Sequence, residues 1–175
     1  GGGGDGGGEG GGEGGGGGGQ SGGAAGCLLL CDLQQRAVDA TRRRLAALPS
    51  SGSLELDFRC GDHAALLEGL AAGSADLVVF NLGYLPGGDK SIVTTAEGTV
   101  RAMSAAEAAV APGGCVSVAL YPGHEEGSRE AEAVLEHAAR LPQGGWSVLS
   151  SQWINQRSKR SGSPAPSLLL LQRMH

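Results

Sequence analysis

Short apolar runs alternate along this chain with stretches whose apolar positions recur at helical spacing. Gly26-Cys27-Leu28-Leu29-Leu30-Cys31 is unbroken and ends at Asp32, as a buried parallel strand does. Residues 35–48 read as a helix with Val38, Thr41, Leu45 and Leu48 on one face and Arg42, Arg43 and Arg44 mostly off it. Pro49 and a Ser-Gly-Ser run stop it. Residues 54–60 form a weaker strand with partial alternation, 64–72 a short helix, and Ala-Asp-Leu-Val-Val-Phe-Asn at 75–81 a second buried strand. A glycine-rich loop at 82–91 leads to a helix over 95–111, where Thr94 and Glu97 have capping-box spacing. Pro112-Gly113-Gly114 punctuates, and 115–121 is a third apolar strand. A helix over 128–141 carries Ala131, Val134, Leu135, Ala138 and Leu141 at helical spacing. Strands at 146–154 and 167–172 close the chain, joined by a polar loop with Arg157, Lys159 and Arg160.

Strand and helix in alternation, then two strands with no helix between them, imply an α/β fold: a mostly parallel sheet with a C-terminal antiparallel strand. No internal repeat is visible. Ligands in such open sheets bind beyond the carboxyl ends of the strands, so the residues just after each strand carry the chemistry.

Composition changes the picture at one end. Residues 1–20 are Gly apart from Asp5, Glu9, Glu13 and Gln20, almost half of the 34 glycines in the chain. Such a tract has no side chains to build a core, so 1–23 is expected to be a disordered low-complexity segment and 24–175 one domain. Setting aside Asp5, Glu9 and Glu13 moves the formal charge from −5 to −2, which excludes a strongly basic nucleic-acid binder but not a local basic patch. Cys27, Cys31, Cys60 and Cys115 form no CxxC pair. Cys27 and Cys31 flank three leucines and read as buried strand residues in a reducing compartment, not as zinc ligands. No apolar run reaches the roughly 18 residues that span a bilayer.

At the strand ends, Asp32 can take the hydroxyls of a ribose or cap the next helix. Gln34 can reach the same cofactor or face water. Asp62 and His63 can meet an adenine edge, or be a second cap and a surface histidine. Asn81 ends a buried strand and opens the turn bearing Gly83, Tyr84, Pro86, Asp89 and Lys90. An amide oxygen there accepts from an amine and leaves its lone pair aimed at an electrophile, while the Tyr84 ring stacks on a base. Position then supplies most of the rate. The plain alternative is a turn that needs its Gly and Pro. His124 can act as a base, contact phosphate, or cap the following helix. Asn155 and Gln156 lie on the same edge, before a basic run that suits RNA backbone contacts or merely solvates a hairpin loop.

At these residues the chain resembles a known family. Asp32-Leu33-Gln34, Asp62-His63, the run from Phe80-Asn81 through Gly83-Tyr84-Leu85-Pro86-Gly87-Gly88-Asp89-Lys90 to Ser91, Tyr121-Pro122-Gly123-His124-Glu125-Glu126-Gly127 and Ile154-Asn155-Gln156 carry the likeness. The family is the rRNA methylases of class I, Rossmann-like in fold and dependent on S-adenosylmethionine. Its characterised members are tRNA 5-aminomethyluridine methyltransferases acting at the wobble uridine. The resemblance runs from Cys27 to the C-terminus. It implies that Asn81 and Tyr84 align an amine for methylation. It implies also that Asp32 and Gln34 hold the cofactor ribose and its neighbours, and that Asp62 and His63 line its adenosine side. Gly83, Pro86, Asp89, Lys90, His124, Asn155 and Gln156 face the substrate. Family members carry a small hydroxyl residue where this chain has Asp62. The implied partner is tRNA, with no membrane and no metal, and a homodimer is the assembly to test. The implied compartment is cytoplasm or an organelle such as the chloroplast, not the secretory route.

One family feature is missing. The family opens with a strand and an Asp-x-Thr-x-Gly-x-Gly turn around the methionine part of the cofactor, and nothing of that kind precedes Cys27. A polyglycine tract is no substitute. The absent strand is the central one, between those ending at Asp32 and Asn81, so two strand edges should be left unpaired. The expectation is a low-complexity insertion at 1–23, with the first strand and helix encoded upstream. The chain alone should then bind cofactor weakly or not at all, and not fold by itself. Two other classes compete. A nicotinamide-dependent oxidoreductase also uses Asp32 but gives residues 81–90 no role. A degenerate methyltransferase-like domain, kept as an RNA-binding or scaffold partner, fits the missing loop but gives no reason to keep Asn81, Tyr84, Asp89 and His124 together.

Overall fold

The structure, a computed structural model, describes residues 26–48, 54–81, 95–153, 155–156 and 165–175. In chain order the elements are β1 (Gly26–Asp32), α1 (Gln35–Ala46), β2 (Leu54–Cys60), α2 (His63–Glu68), β3 (Ala75–Asn81), α3 (Ala96–Ala109), β4 (Val110–Leu120), α4 (Glu125–Ala139), β5 (Trp146–Gln152) and β6 (Ser167–Arg173). The alternation read from the sequence is therefore present, including the late strand pair.

The strands form two sheets. β1 and β2 pair in parallel, Gly26 opposite Leu54 through Asp32 opposite Cys60. The other sheet has the order β3-β4-β6-β5, parallel between β3 and β4 and antiparallel at both edges of β6. β5 therefore runs in the direction of β4, and the carboxyl ends of β3, β4 and β5 share one edge. Among the described residues β1 and β3 are not hydrogen-bonded to each other. Those are the two edges that the sequence expected to be left open.

The core lies under one face of the four-stranded sheet. Val116 pairs with Leu171 and Val118 with Leu169, and all four are at most 1% exposed. Each fully buried Val or Leu of this kind contributes about 1.5–3 kcal/mol. α3 lies close because the side chains it turns inward are small: Ala102, Ala106 and Ala109 are buried, with Met103 filling the remaining gap. Thr99, fully buried, donates to Glu130 Oε1 at 2.6 Å, and His137 Nε2 meets Glu107 Oε1 at 2.7 Å, so α3 and α4 are joined by polar contacts along their shared face. The buried cluster draws on α2, β3, α3, β4, α4 and β6 and includes no residue of β1, α1 or β2.

Several sequence expectations are corrected. β3 is not buried on both faces: Phe80 is, but Leu77 and Val79 are 58% and 63% exposed, on the side that α2, α3 and α4 do not cover. Cys27, Cys31 and Cys60 are exposed for a related reason, since among the described residues α1 is the main element packed on the two-stranded sheet. β4 starts at Val110, not after Pro112-Gly113-Gly114. Ala75 pairs with Val110 and Leu77 with Cys115, so those residues form an irregularity inside the strand. Gly113 has φ +82° there, and a Cβ on Gly114 would stand 2.8 Å from the Asp76 carbonyl oxygen. The α3 cap is Thr95, whose hydroxyl accepts from Gly98 N–H at 3.1 Å; Thr94, expected to cap, lies outside the described residues. α1 stops at Ala46, leaving Leu48 61% exposed, and α4 begins three residues earlier than its apolar spacing suggests.

Backbone amides of β4 and β6, paired on both sides over buried side chains, should be the slowest to exchange with deuterium. Those of Leu28–Leu30 in β1 should exchange at least about 100-fold faster. Mass-spectrometric exchange on the chain tests this, and equal protection of β1 and β6 would contradict the division.

Candidate active site

Asp32 stands at the end of β1, and its carbonyl accepts from Gly61 N–H at 3.0 Å, one step past the β1–β2 ladder. Its carboxylate Oδ1 accepts from Gln34 N–H at 2.8 Å. The helix cap is Gln34, not Asp32, and the Gln34 side chain makes no capping bond. The capping explanation of Asp32 therefore fails. Its second oxygen has no hydrogen bond to a described residue, which leaves an oriented acceptor at the strand end. Beside it, the Cys31 thiol is pushed up from its ordinary value, first by desolvation and then by the Asp32 charge, so it is a poor nucleophile.

Asp62 is a cap. Oδ1 accepts from Ala64 N–H at 3.0 Å, and Oδ2 receives Arg101 Nη1 at 3.2 Å. Arg101 in turn grips Glu68 through Nε and Nη2 at 2.8 and 2.7 Å, tying α3 to both ends of α2. That hydrogen bond holds the Glu68 carboxyl below the ordinary glutamate value and raises the guanidinium. His63 is half-buried, its ring edge-on to Phe80 with centroids 6.1 Å apart. Its Nε2 is buried and has no hydrogen-bond partner. Buried polar atoms are nearly always satisfied, whereas this nitrogen lacks a partner among the described residues.

Asn81 closes β3 opposite Ala119 of β4. The residue just beyond β4 is Tyr121, and its hydroxyl donates to Asn81 Oδ1 at 2.8 Å. This contact fixes the plane of an otherwise exposed amide and leaves the second lone pair of Oδ1 for another donor. Tyr121 was missed as a site residue. The sequence places it at a strand end but does not say that β4 lies next to β3. His124 caps α4: its Nδ1 accepts from Gly127 N–H at 2.8 Å. A neutral ring bonded this way carries its proton on Nε2, so His124 is a donor toward solvent and the general-base role is displaced. Gly127 cannot be larger, because a Cβ there would run into the Tyr121 carbonyl and the His124 ring. Asn155 and Gln156 are exposed just beyond β5, on the edge shared with Asn81. Gly83, Tyr84, Pro86, Asp89 and Lys90, with the basic loop at 157–160, lie outside the described residues.

Taken together, the strand ends carry a carboxylate suited to a diol, an orphaned imidazole nitrogen and an oriented amide. That is the layout of an α/β enzyme holding a nucleoside-type cofactor at its sheet edge. Comparison with known proteins agrees. Residues 28–165 match the family described as "Putative rRNA methylase", and the chain belongs to that family. It is similar to the crystal structure of a "putative rRNA-methylase" from Clostridium thermocellum, with TM-score 0.71 and 30% identity over 83% of this chain and 74% of that one. A "putative methyltransferase" from Streptococcus mutans in complex with SAH gives TM-score 0.68 and 25% identity, over 83% and 75% of the two chains. A curated relative, the chloroplastic tRNA (mnm(5)s(2)U34)-methyltransferase of Arabidopsis thaliana, is 44% identical over 80 residues. The match spans 46% of this chain and 29% of that protein. Family and fold together place the chain among the rRNA methylases, with the fold of solved methyltransferases.

The residues present are chemically compatible with the adenosine part of such a cofactor: Asp32 has an oxygen with no partner among the described residues that would suit a ribose, and the His63 nitrogen would suit a base. Both oxygens of Asp62 are already engaged. Among the described residues no group of His, Cys, Asp and Glu could hold a metal ion, and no helix is long and apolar enough to cross a membrane.

The tight turn that carries Tyr121 and His124 gives a stability test. Gly127→Ala should destabilise the full-length protein by about 1–3 kcal/mol in guanidinium unfolding. Gly123→Ala, with nothing within 4 Å of its added Cβ, should stay within about 0.5 kcal/mol. Equal effects would show that the first turn of α4 is not packed against Tyr121.

Proposed function

We propose that this protein transfers the methyl group of S-adenosylmethionine to the primary amine of an aminomethyl substituent on a tRNA wobble uridine. The observation that carries the reading is the Tyr121–Asn81 hydrogen bond, which sets an amide acceptor at the strand-end edge. The specific substrate follows the 44% identity to the relative named for mnm(5)s(2)U34, and that relative's chloroplastic label makes an organelle the proposed compartment.

Bound S-adenosylmethionine supplies an electrophilic methyl carbon. The substrate nitrogen must arrive neutral, with its lone pair in line with that carbon. On accepting the methyl group in exchange for the cofactor's sulfur, the substrate nitrogen would become a secondary ammonium and would then lose a proton to water. Asn81 Oδ1 accepts one N–H of the amine, an interaction that strengthens as positive charge grows on nitrogen. Tyr121 keeps that oxygen from rotating away. With His124 Nδ1 committed to its helix cap, the edge works by placement more than by proton transfer. Tyr84 stacking on the uracil, and contacts from Gly83, Pro86, Asp89, Lys90, Asn155 and Gln156, belong to the same proposal. So do the cofactor roles of Gln34 and Asp62. The unpaired edges of β1 and β3 favour a second reading, a non-catalytic domain that binds RNA or serves as a scaffold.

An assay of the full-length protein with methyl-labelled cofactor and tRNA bearing 5-aminomethyluridine separates the two. Asn81→Ala should lower kcat by about 100-fold. Tyr121→Phe should lower it by roughly 10-fold, with KM for the cofactor unchanged. A wild-type protein that binds the tRNA and transfers no methyl group would establish the non-catalytic reading.

A further inference from the structure

The last rung of the β5–β6 ladder pairs Gln152 with Ser167, and the two chains then part. Trp153 lies on one side of the opening and Pro166 on the other. Together with Ser151, Gln152, Ser167 and Leu168 they line a cleft of about 310 Å³. Trp153 is 67% exposed in a chain with only two tryptophans and 3% aromatic residues. The other, Trp146, is partly buried against the core. The strand expected over 146–154 thus ends at Gln152, and the next residue presents its indole at the surface.

We infer that this cleft is a stacking site for one unpaired base of the RNA substrate. The inference rests on the proposed function, in which the substrate is RNA. The cleft volume lies at the low end of the roughly 300–1,000 Å³ typical of small-ligand sites, which suits one planar base. The indole and the proline ring give the base two apolar faces. The hydroxyls of Ser151 and Ser167 and the Gln152 amide supply donors and acceptors for its edge. Single-stranded RNA is recognised in this way, by bases splayed onto aromatic rings. The location agrees: β5 runs with β4, so the cleft opens on the edge that carries Asn81 and Tyr121. The sequence adds charge complementarity, because Arg157, Lys159 and Arg160 come within a few residues and suit phosphates of the same strand. A lipid or an apolar peptide would gain little from the three polar lining residues.

The test uses the full-length protein, an unmodified anticodon stem-loop transcript and tryptophan fluorescence. RNA should quench the wild-type emission, and the quench should survive Trp146→Phe. Trp153→Ala should weaken RNA binding by about 10- to 100-fold. Trp153→Phe, which keeps a ring, should stay within about threefold of wild type. The salt dependence of binding should keep its slope in Trp153→Ala, because no phosphate contact is lost. An unchanged far-ultraviolet circular dichroism spectrum and guanidinium unfolding midpoint show that the variant is folded. Equal RNA affinity for wild type and Trp153→Ala overturns the stacking site and leaves the RNA reading standing. Failure of the wild type to bind the transcript overturns both.

Discussion

Backbone hydrogen bonding along two strand edges governs this molecule. β1 is paired to β2 and β3 to β4, and the described residues contain nothing that joins the two pairs across β1 and β3. Each edge is a row of amides and carbonyls with no strand partner among the described residues. The strands themselves are built of residues that elsewhere lie inside parallel sheets: Leu28-Leu29-Leu30 in one, Leu77-Val78-Val79-Phe80 in the other. The buried cluster forms on the β3 side and leaves β1, α1 and β2 outside it. A strand between β1 and β3 would satisfy both edges and set one half of the molecule in fixed relation to the other.

The division runs through the site. Asp32, whose carboxylate orients Gln34 N–H, belongs to the two-stranded part, while Asn81, Tyr121 and the α4 cap belong to the four-stranded part. His63 stands at the boundary, with its ring against Phe80. Methyl transfer depends on in-line alignment of groups held by both parts, and small misplacements there are costly. The four-stranded half is locally well specified by its helix caps, by the Arg101 contacts to Asp62 and Glu68, and by the close approach of Gly127 to Tyr121. Among the described residues no strand pairing relates the halves.

Much of this was legible in the sequence, because strand and helix periods differ and the punctuation is strong. Residues 54–60 and 75–81 were placed with the boundaries the structure shows, and β6 was off by only one residue. Failures arose where tertiary pairing overrides local chemistry. Pro112-Gly113-Gly114 reads as a break, yet β3 keeps the segment in the ladder with an irregularity. Apolar runs imply two covered faces, and Leu77 and Val79 have one side open. Within the site, Asp32 and Asn81 stood out because they end apolar strands. Tyr121 became visible only once β4 was seen beside β3, and Trp153 only once β5 was seen to stop one residue before it. His124 offered three roles to the sequence, and one hydrogen bond shows that it is a helix cap, with Nε2 still able to meet a substrate phosphate.

The most direct measurement is a calorimetric titration of this 175-residue chain with S-adenosylhomocysteine. If alignment of the two halves depends on a strand joining β1 to β3, the chain alone should show no saturable binding below about 1 mM. Stoichiometric binding with a Kd near about 1 μM would contradict the account, for it would mean that the described elements already hold the cofactor without that strand.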